Sequence, residues 1–149
     1  MSKQATFYLM QNDQSAIANL SAIEALACDL AAKTWRLGKR ILIACETEQQ
    51  AFKLDEALWQ RDPDEFVPHN LSGEISHYTT PIEICWKEKR NVQRRDVLIS
   101  LQQQIPEFAQ MFNQVIDFVP EQEQQKILAR ERYKQYRQLG FQMNMEQQS

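Results

Sequence analysis

Glycine is scarce in this chain: Gly38, Gly73 and Gly140 are the only three among 149 residues. A phosphate cradle of the G-x-G-x-x-G or G-x-x-x-x-G-K-[ST] kind needs closely spaced glycines so that backbone N–H groups can surround the anion. The turn after the first candidate strand reads QNDQSAIAN and has none. Gly38-Lys39 lacks both the upstream glycine and a following hydroxyl, and it falls between a helix and a strand, where glycine serves as a C-cap. The three cysteines, Cys28, Cys45 and Cys85, are odd in number, far apart and set in apolar patterns, which points to buried reduced thiols rather than disulfides or zinc. The two histidines, His69 and His77, fall in one loop, are expected to be solvated, and are too few for a metal centre. No apolar run approaches the ~20 residues that span a bilayer, and no signal-peptide succession opens the chain. A cytoplasmic protein without metal, cofactor or membrane contact is expected.

With 43% hydrophobic and 25% charged residues, the chain is long enough for one well-buried core. A single domain over residues 1–141 is expected, followed by a polar tail, 142–149, that should fray. Ala5 to Met10 reads as a strand and Leu20 to Leu37 as a helix stopped by Gly38. Arg40 to Cys45 is a continuous apolar run, typical of a strand buried on both faces, and Thr47 can cap a helix reaching Trp59. Strands are expected at Ile82 to Trp86, Val97 to Ser100 and Val115 to Val119, with a short helical piece near Phe108 and a last helix after Pro120. Such alternation predicts a three-layer α/β domain with a mainly parallel sheet, Rossmann-like but without a phosphate-binding loop. By analogy with that class the first strand should lie near the sheet centre. Asp55, Glu56 and Asp117 are the carboxylates that could pair for acid–base work, but no nucleophile, base or metal set converges on them, so no catalytic residue is assigned.

The net charge is −3, so no mean field draws the molecule to polyanions, and the positive charge is instead placed. More than half of the 17 Lys and Arg lie in two segments, Lys87 to Arg95 and Lys126 to Arg137. On a helix, Lys126, Arg130, Lys134 and Arg137 fall within roughly 80° of one another, at about 100° per residue. Leu128, Ala129, Tyr136 and Leu139 turn toward the core, with Tyr133 at the seam. A basic stripe bordered by aromatics fits an acidic peptide that ends in a hydrophobic residue. The other cluster, Lys87, Lys89, Arg90, Arg94 and Arg95, allows direct nucleic-acid contact, although Trp86 alone makes a poor stacking platform.

The segment LDEALWQRDPDEFVPHNL adds a second surface. Ala51, Leu54 and Leu58 share a helical stripe, whereas Trp59 points about 80° or more away, alongside Phe52. Phe66 follows on a loop stiffened by Pro63 and Pro68, so the two rings make an aromatic anchor for a protein partner.

ATFYL near the start, GKRILIACE, LDEALW followed by FVPHNL, RRDVLISL, VIDFVP and LARERYKQYR with a following GF span Ala5 to Phe141 in order. In these motifs the chain resembles the chi-subunit family of bacterial DNA polymerase III. The resemblance implies a non-catalytic accessory subunit that pairs one to one with the psi subunit, and through it with the clamp loader. It also implies binding of the acidic C-terminal tail of single-stranded DNA-binding protein, so that nucleic acid is met mainly through a partner and the replicase is tethered to coated template. Val119, Arg130, Tyr133 and Lys134 carry over as the tail pocket, and helical geometry adds Arg137. Trp59 and Phe66 carry over as the psi surface, with Val67, Pro68, His69 and Asn70 beside them. The chain departs from the family pattern at Ser72 to Thr80 and in the C-terminal tail.

Overall fold

The structure, a computed structural model, describes residues 3–10, 20–61, 67–73, 80–89 and 95–147. In chain order the elements are β1 (Gln4–Leu9), α1 (Ala22–Arg36), β2 (Ile41–Cys45), α2 (Glu48–Trp59), β3 (His69–Leu71), β4 (Ile82–Trp86) and β5 (Val97–Ser100). A 3-10 turn (Glu107–Met111), β6 (Gln114–Val119), α3 (Glu123–Gln138) and β7 (Gln142–Gln147) complete them. The strands form one seven-stranded sheet in the order β3-β4-β2-β5-β6-β1-β7, and every pairing is parallel.

Alternation along the strands divides the core in two. Ile41, Ile43 and Cys45 of β2, with Ile82 and Ile84 of β4 and Val97 and Ile99 of β5, face α1 and α2 and pack on Ala27, Ala31, Leu54 and Leu58. Leu42, Ala44, Cys85, Leu98 and Val115 face the opposite way, onto Ala109, Phe112, Tyr136 and Phe141. Both faces are therefore covered, as a parallel sheet requires.

Local signals set the helix ends. Ser21 Oγ accepts the N–H of Glu24 at 3.1 Å while Glu24 Oε1 accepts the N–H of Ser21 at 2.9 Å, a capping box that opens α1. Thr47 caps α2 through the N–H of Gln50, as its position before the apolar stripe implies. Gly140, at φ +94°, ends α3: its own N–H bonds Arg137 O and that of Phe141 bonds Tyr136 O, both at 3.1 Å. The rings of Phe141 and Tyr136 meet at 5.2 Å and seal this Schellman turn. The chain is thereby aimed straight into β7.

Four expectations change. The polar run from Gln142 to Gln147 is an edge strand rather than a frayed tail, because β1 offers it a free backbone edge and Met143 and Met145 alternate toward α3. β1 lies beside that edge strand, not near the centre, because the crossover through α1 skips two positions that β5 and β6 fill later. β3 is a strand inside the stretch read as loop. Leu139 is 38% exposed instead of core-facing, since it forms the C-cap beyond the sheet.

The link between α3 and the sheet is ionic. Asp117 of β6 is 1% exposed and Arg132 of α3 6%. Arg132 Nε donates to Asp117 Oδ2 at 2.9 Å, its Nη1 to Gln103 O at 2.9 Å and its Nη2 to Phe118 O at 3.1 Å. Asp117 Oδ1 also accepts the N–H of Phe118 at 2.6 Å. Burial pushes the Asp117 carboxyl upward, against the pull of the guanidinium and of that N–H.

Two outcomes are expected from this packing. Arg132→Leu should lower stability by ~3–5 kcal/mol, since Asp117 would be left buried and uncompensated, which for a chain of this length lowers Tm by roughly 10 °C or more. Asp117→Leu combined with Arg132→Leu should recover most of that loss, and a single variant melting with the parent would refute the role of the pair. Burial also pushes Cys28 up to about 12 and Cys45 well above the ordinary thiol range. A thiol reagent at mildly alkaline pH should label none of the three buried cysteines in native protein and all of them in denaturant; rapid native labelling would contradict the packing.

Candidate functional site: a groove beneath the last helix

Between α3 and strands β6, β1 and β7 lies a groove of about 460 Å³. Phe7 and Leu9 of β1, Val119 of β6 and Met145 of β7 form its apolar floor, and Ala129 and Tyr133 of α3 form its wall. Parallel register places Phe7 beside both Asp117 and Met145, and Leu9 beside Val119, so these side chains share the α3 face of the sheet. The small side chain of Ala129, fully packed, leaves the space that a larger residue would fill. Tyr133 is held edge-on against Phe7 at 5.4 Å between ring centroids.

Two cations stand at the rim, Lys126 and Arg130. Lys126 lies 3.8 Å from Glu123, a loose contact on the first turn of the helix. Arg130 is exposed and has no carboxylate within 4 Å among the described residues. An apolar recess of this size beside a free guanidinium accommodates one large apolar side chain with a carboxylate next to it.

Of the residues the sequence assigned to this pocket, Val119, Arg130 and Tyr133 line it. Lys134 and Arg137 are exposed on α3 but lie outside the lining, so the basic stripe continues past the groove rather than into it. Phe7, Leu9 and Met145 were missed, because only the order of the strands brings them under the helix. Arg132 was also missed, although the same helical wheel that reveals the stripe places it on the apolar side, between Leu128 and Tyr136.

The second surface centres on Trp59, which is 60% exposed at the end of α2. Its indole meets the His69 ring edge-on at 5.2 Å. His69 Nδ1 lies 2.8 Å from Val67 O and Nε2 lies 3.2 Å from Asp55 Oδ1. Val67 is fully buried and His69 nearly so, which corrects their place on a contact surface: Val67 belongs to the core, and His69 supports Trp59 from below. The same burial corrects the expectation of a solvated His69. Pro68 and Asn70 are half-buried, while Phe66 and His77 lie outside the described residues. Phe52, 48% exposed, extends the aromatic face and meets Trp86 edge-on at 6.1 Å.

In the basic segment after β4, two of the described cations have carboxylate partners. Arg95 is buried, its Nη2 donating to Glu83 Oε1 at 3.1 Å and its Nη1 to Thr80 O at 2.6 Å. Lys87 pairs with Glu46 at 3.3 Å, Lys89 is exposed, and Arg90 and Arg94 lie outside the described residues. Among the candidate carboxylates, Asp117 is structural, Asp55 faces His69, and Glu56 accepts a hydrogen bond from Gln60 on the exposed side of α2. Among the described residues no three His, Cys, Asp or Glu are grouped to hold a metal, and no helix is long and apolar enough to cross a membrane.

The fold is similar to that of T4 UvsW, known from a crystal structure. That likeness has a TM-score of 0.65 and 11% sequence identity, over 98% of this chain and 41% of the other, and is one of fold alone. Sequence relationships are far closer. The family profile of the DNA polymerase III chi subunit, HolC, matches residues 1–144. The DNA polymerase III subunit chi of Haemophilus influenzae is 55% identical over 98% of this chain and 98% of its own length. That of Escherichia coli is 55% identical over 95% and 96%, and that of Pseudomonas aeruginosa 33% identical over 83% and 85%. The chain thus belongs to the chi-subunit family of DNA polymerase III, accessory subunits of the replicative polymerase.

Proposed function

We propose that this chain is a non-catalytic adaptor of the bacterial replisome, acting in the cytoplasm. Its α3 groove takes the acidic C-terminal tail of single-stranded DNA-binding protein, and its Trp59 face pairs one to one with the psi subunit, which carries it to the clamp loader. The observation that carries this reading is the apolar groove bordered by Lys126 and Arg130. A terminal aromatic ring would enter between Val119 and Tyr133, and the carboxylate beside it would meet Arg130. Upstream acidic residues would follow the exposed Lys134 and Arg137 along α3.

The two surfaces belong to helices on opposite faces of the sheet, which supports simultaneous binding. Trp59 and Phe52 supply the kind of exposed aromatic area that anchors a protein interface. Such an adaptor raises the local concentration of polymerase at coated template without chemistry of its own.

Fluorescence anisotropy with a labelled acidic peptide ending in Phe tests the groove. Saturable binding is expected, and Arg130→Ala should weaken it about tenfold or more, from loss of a charge-assisted contact worth ~1.5–3 kcal/mol, while psi capture is unchanged. Trp59→Ala should abolish psi capture and spare the peptide. Parental peptide affinity in Arg130→Ala would sink the assignment of the groove, and psi binding that survives Trp59→Ala would sink that of the second surface.

A further inference from the structure

Charge pairing is uneven across this molecule. Lys53, Arg61, Lys87, Arg95, Lys126 and Arg132 each have a carboxylate within 4 Å. Among the described residues, the cations without one are Lys89, the outer face of α3, and a third group: Lys3, Lys33, Arg36, Lys39 and Arg40. This third group has no part in either surface above.

Topology gathers it at one end of the sheet. All strands are parallel, so the residues that precede β1, β2, β5 and β6 lie at the same end, and α1 finishes there. Lys33 and Arg36 occupy the last turn of α1, Lys39 and Arg40 lead into β2, and Lys3 leads into β1. Lys39 Nζ reaches Gln114 Oε1 at 3.0 Å, at the start of β6, and Gln114 is paired with Gln4, next to Lys3. From β2 to β6, which Lys39 reaches, there are two strand spacings, so the available cations extend over about 10 Å. Basic residues at a helix C-terminus are favourable in themselves. That accounts for Lys33 and Arg36, while Lys3 Nζ donates to Gln110 O at 2.6 Å and lies over the Phe141 ring at 5.5 Å; Arg40 and Lys39, whose partner is a neutral amide, are left over.

A polar groove of about 490 Å³ runs along this end, lined by Gln4, Lys39, Asn113 and Gln114 among others. Its one carboxylate, Asp96, already accepts the backbone N–H of Arg40 at 2.8 Å. We propose that this end of the sheet is a contact surface for the phosphodiester backbone of single-stranded DNA, separate from the α3 groove and the Trp59 face. The groove offers three side-chain amides and the Lys39 ammonium, with Arg40 adjoining it and its other cation, Arg95, paired with Glu83; no apolar side chain lines it to anchor a peptide residue. It offers no aromatic ring for stacking, so the contact is to phosphate and independent of base sequence. An accessory subunit of a DNA polymerase works beside such a strand, and loose phosphate contacts there would hold it close without fixing its register.

The test uses the intact chain alone with a labelled oligothymidylate, followed by anisotropy as salt is raised. Saturable binding at low salt is expected, with a log–log salt slope of about −2 to −3, at ~0.7 per phosphate neutralised on a single strand. Lys39→Glu with Arg40→Glu should weaken binding at least about tenfold and flatten the slope by about one or more. Lys87→Glu with Lys89→Glu should leave both within about twofold, and circular dichroism and melting temperature check that each variant is folded. Absence of binding at low salt, or a loss confined to the Lys87 and Lys89 variant, would overturn the proposal. So would a polyglutamate of equal charge that competes as well as the oligonucleotide, which would assign the surface to an acidic protein.

Discussion

The ion pair between Arg132 and Asp117 is the contact on which the arrangement of this molecule depends. It joins the last helix to a strand of the sheet, and the same guanidinium holds the loop after β5 through Gln103 O. A buried pair of this kind contributes little net stability compared with an apolar pair, but it tolerates few alternative positions. A helix held only by Ala129 and Tyr136 could slide along the sheet. Held by three directed hydrogen bonds from one side chain, it sits where Ala129 and Tyr133 overhang Phe7 and Val119 and leave the groove open.

The second constraint is the exit from that helix. Gly140 adopts a backbone conformation that other residues enter only with strain, and Phe141 locks the turn against Tyr136. β7 then runs parallel to β1 and brings Met145 to the groove floor. The groove therefore comes from three separated segments, and none of them forms a site alone. On the other face of the sheet, α2 presents Trp59 and Phe52, braced by the nearly buried His69 and by Trp86. With the two surfaces back to back across one sheet, the two partners proposed above would bind without competing for space.

Much of the fold is legible in the sequence because the strands ILIAC, IEICW and VLIS are apolar but for Glu83 and the terminal Ser100, as doubly covered strands are, and because Thr47 and Gly38 mark helix ends. β3 and β7 were not legible. One is three residues long, and the other is polar enough to read as a tail, its only sign being the alternation of Met143 and Met145. The basic stripe of α3 was legible as a wheel, and Val119, Arg130 and Tyr133 do line one groove. Which stripe residues reach the groove depends on how far along the sheet the helix sits, and Arg132 decides that. Charge alone misleads twice: Arg95 and Arg132 sit in basic segments yet are buried against Glu83 and Asp117. Their partners lie on strands, Glu83 and Asp117 each interrupting an apolar run, and an isolated carboxylate in such a run implies a buried cation somewhere else in the chain.

As proposed above, the space under α3 is a peptide-binding groove with its floor on β1, β6 and β7. Methyl and amide NMR spectra of the labelled chain, titrated with an acidic peptide ending in Phe, test it most directly. The largest shifts are expected at Val119, Met145, Leu9, Ala129 and Arg130, with Trp59 and Phe52 unmoved. Shifts centred on α2 or on the turn at Lys87 to Lys89, with Val119 and Met145 silent, would contradict it.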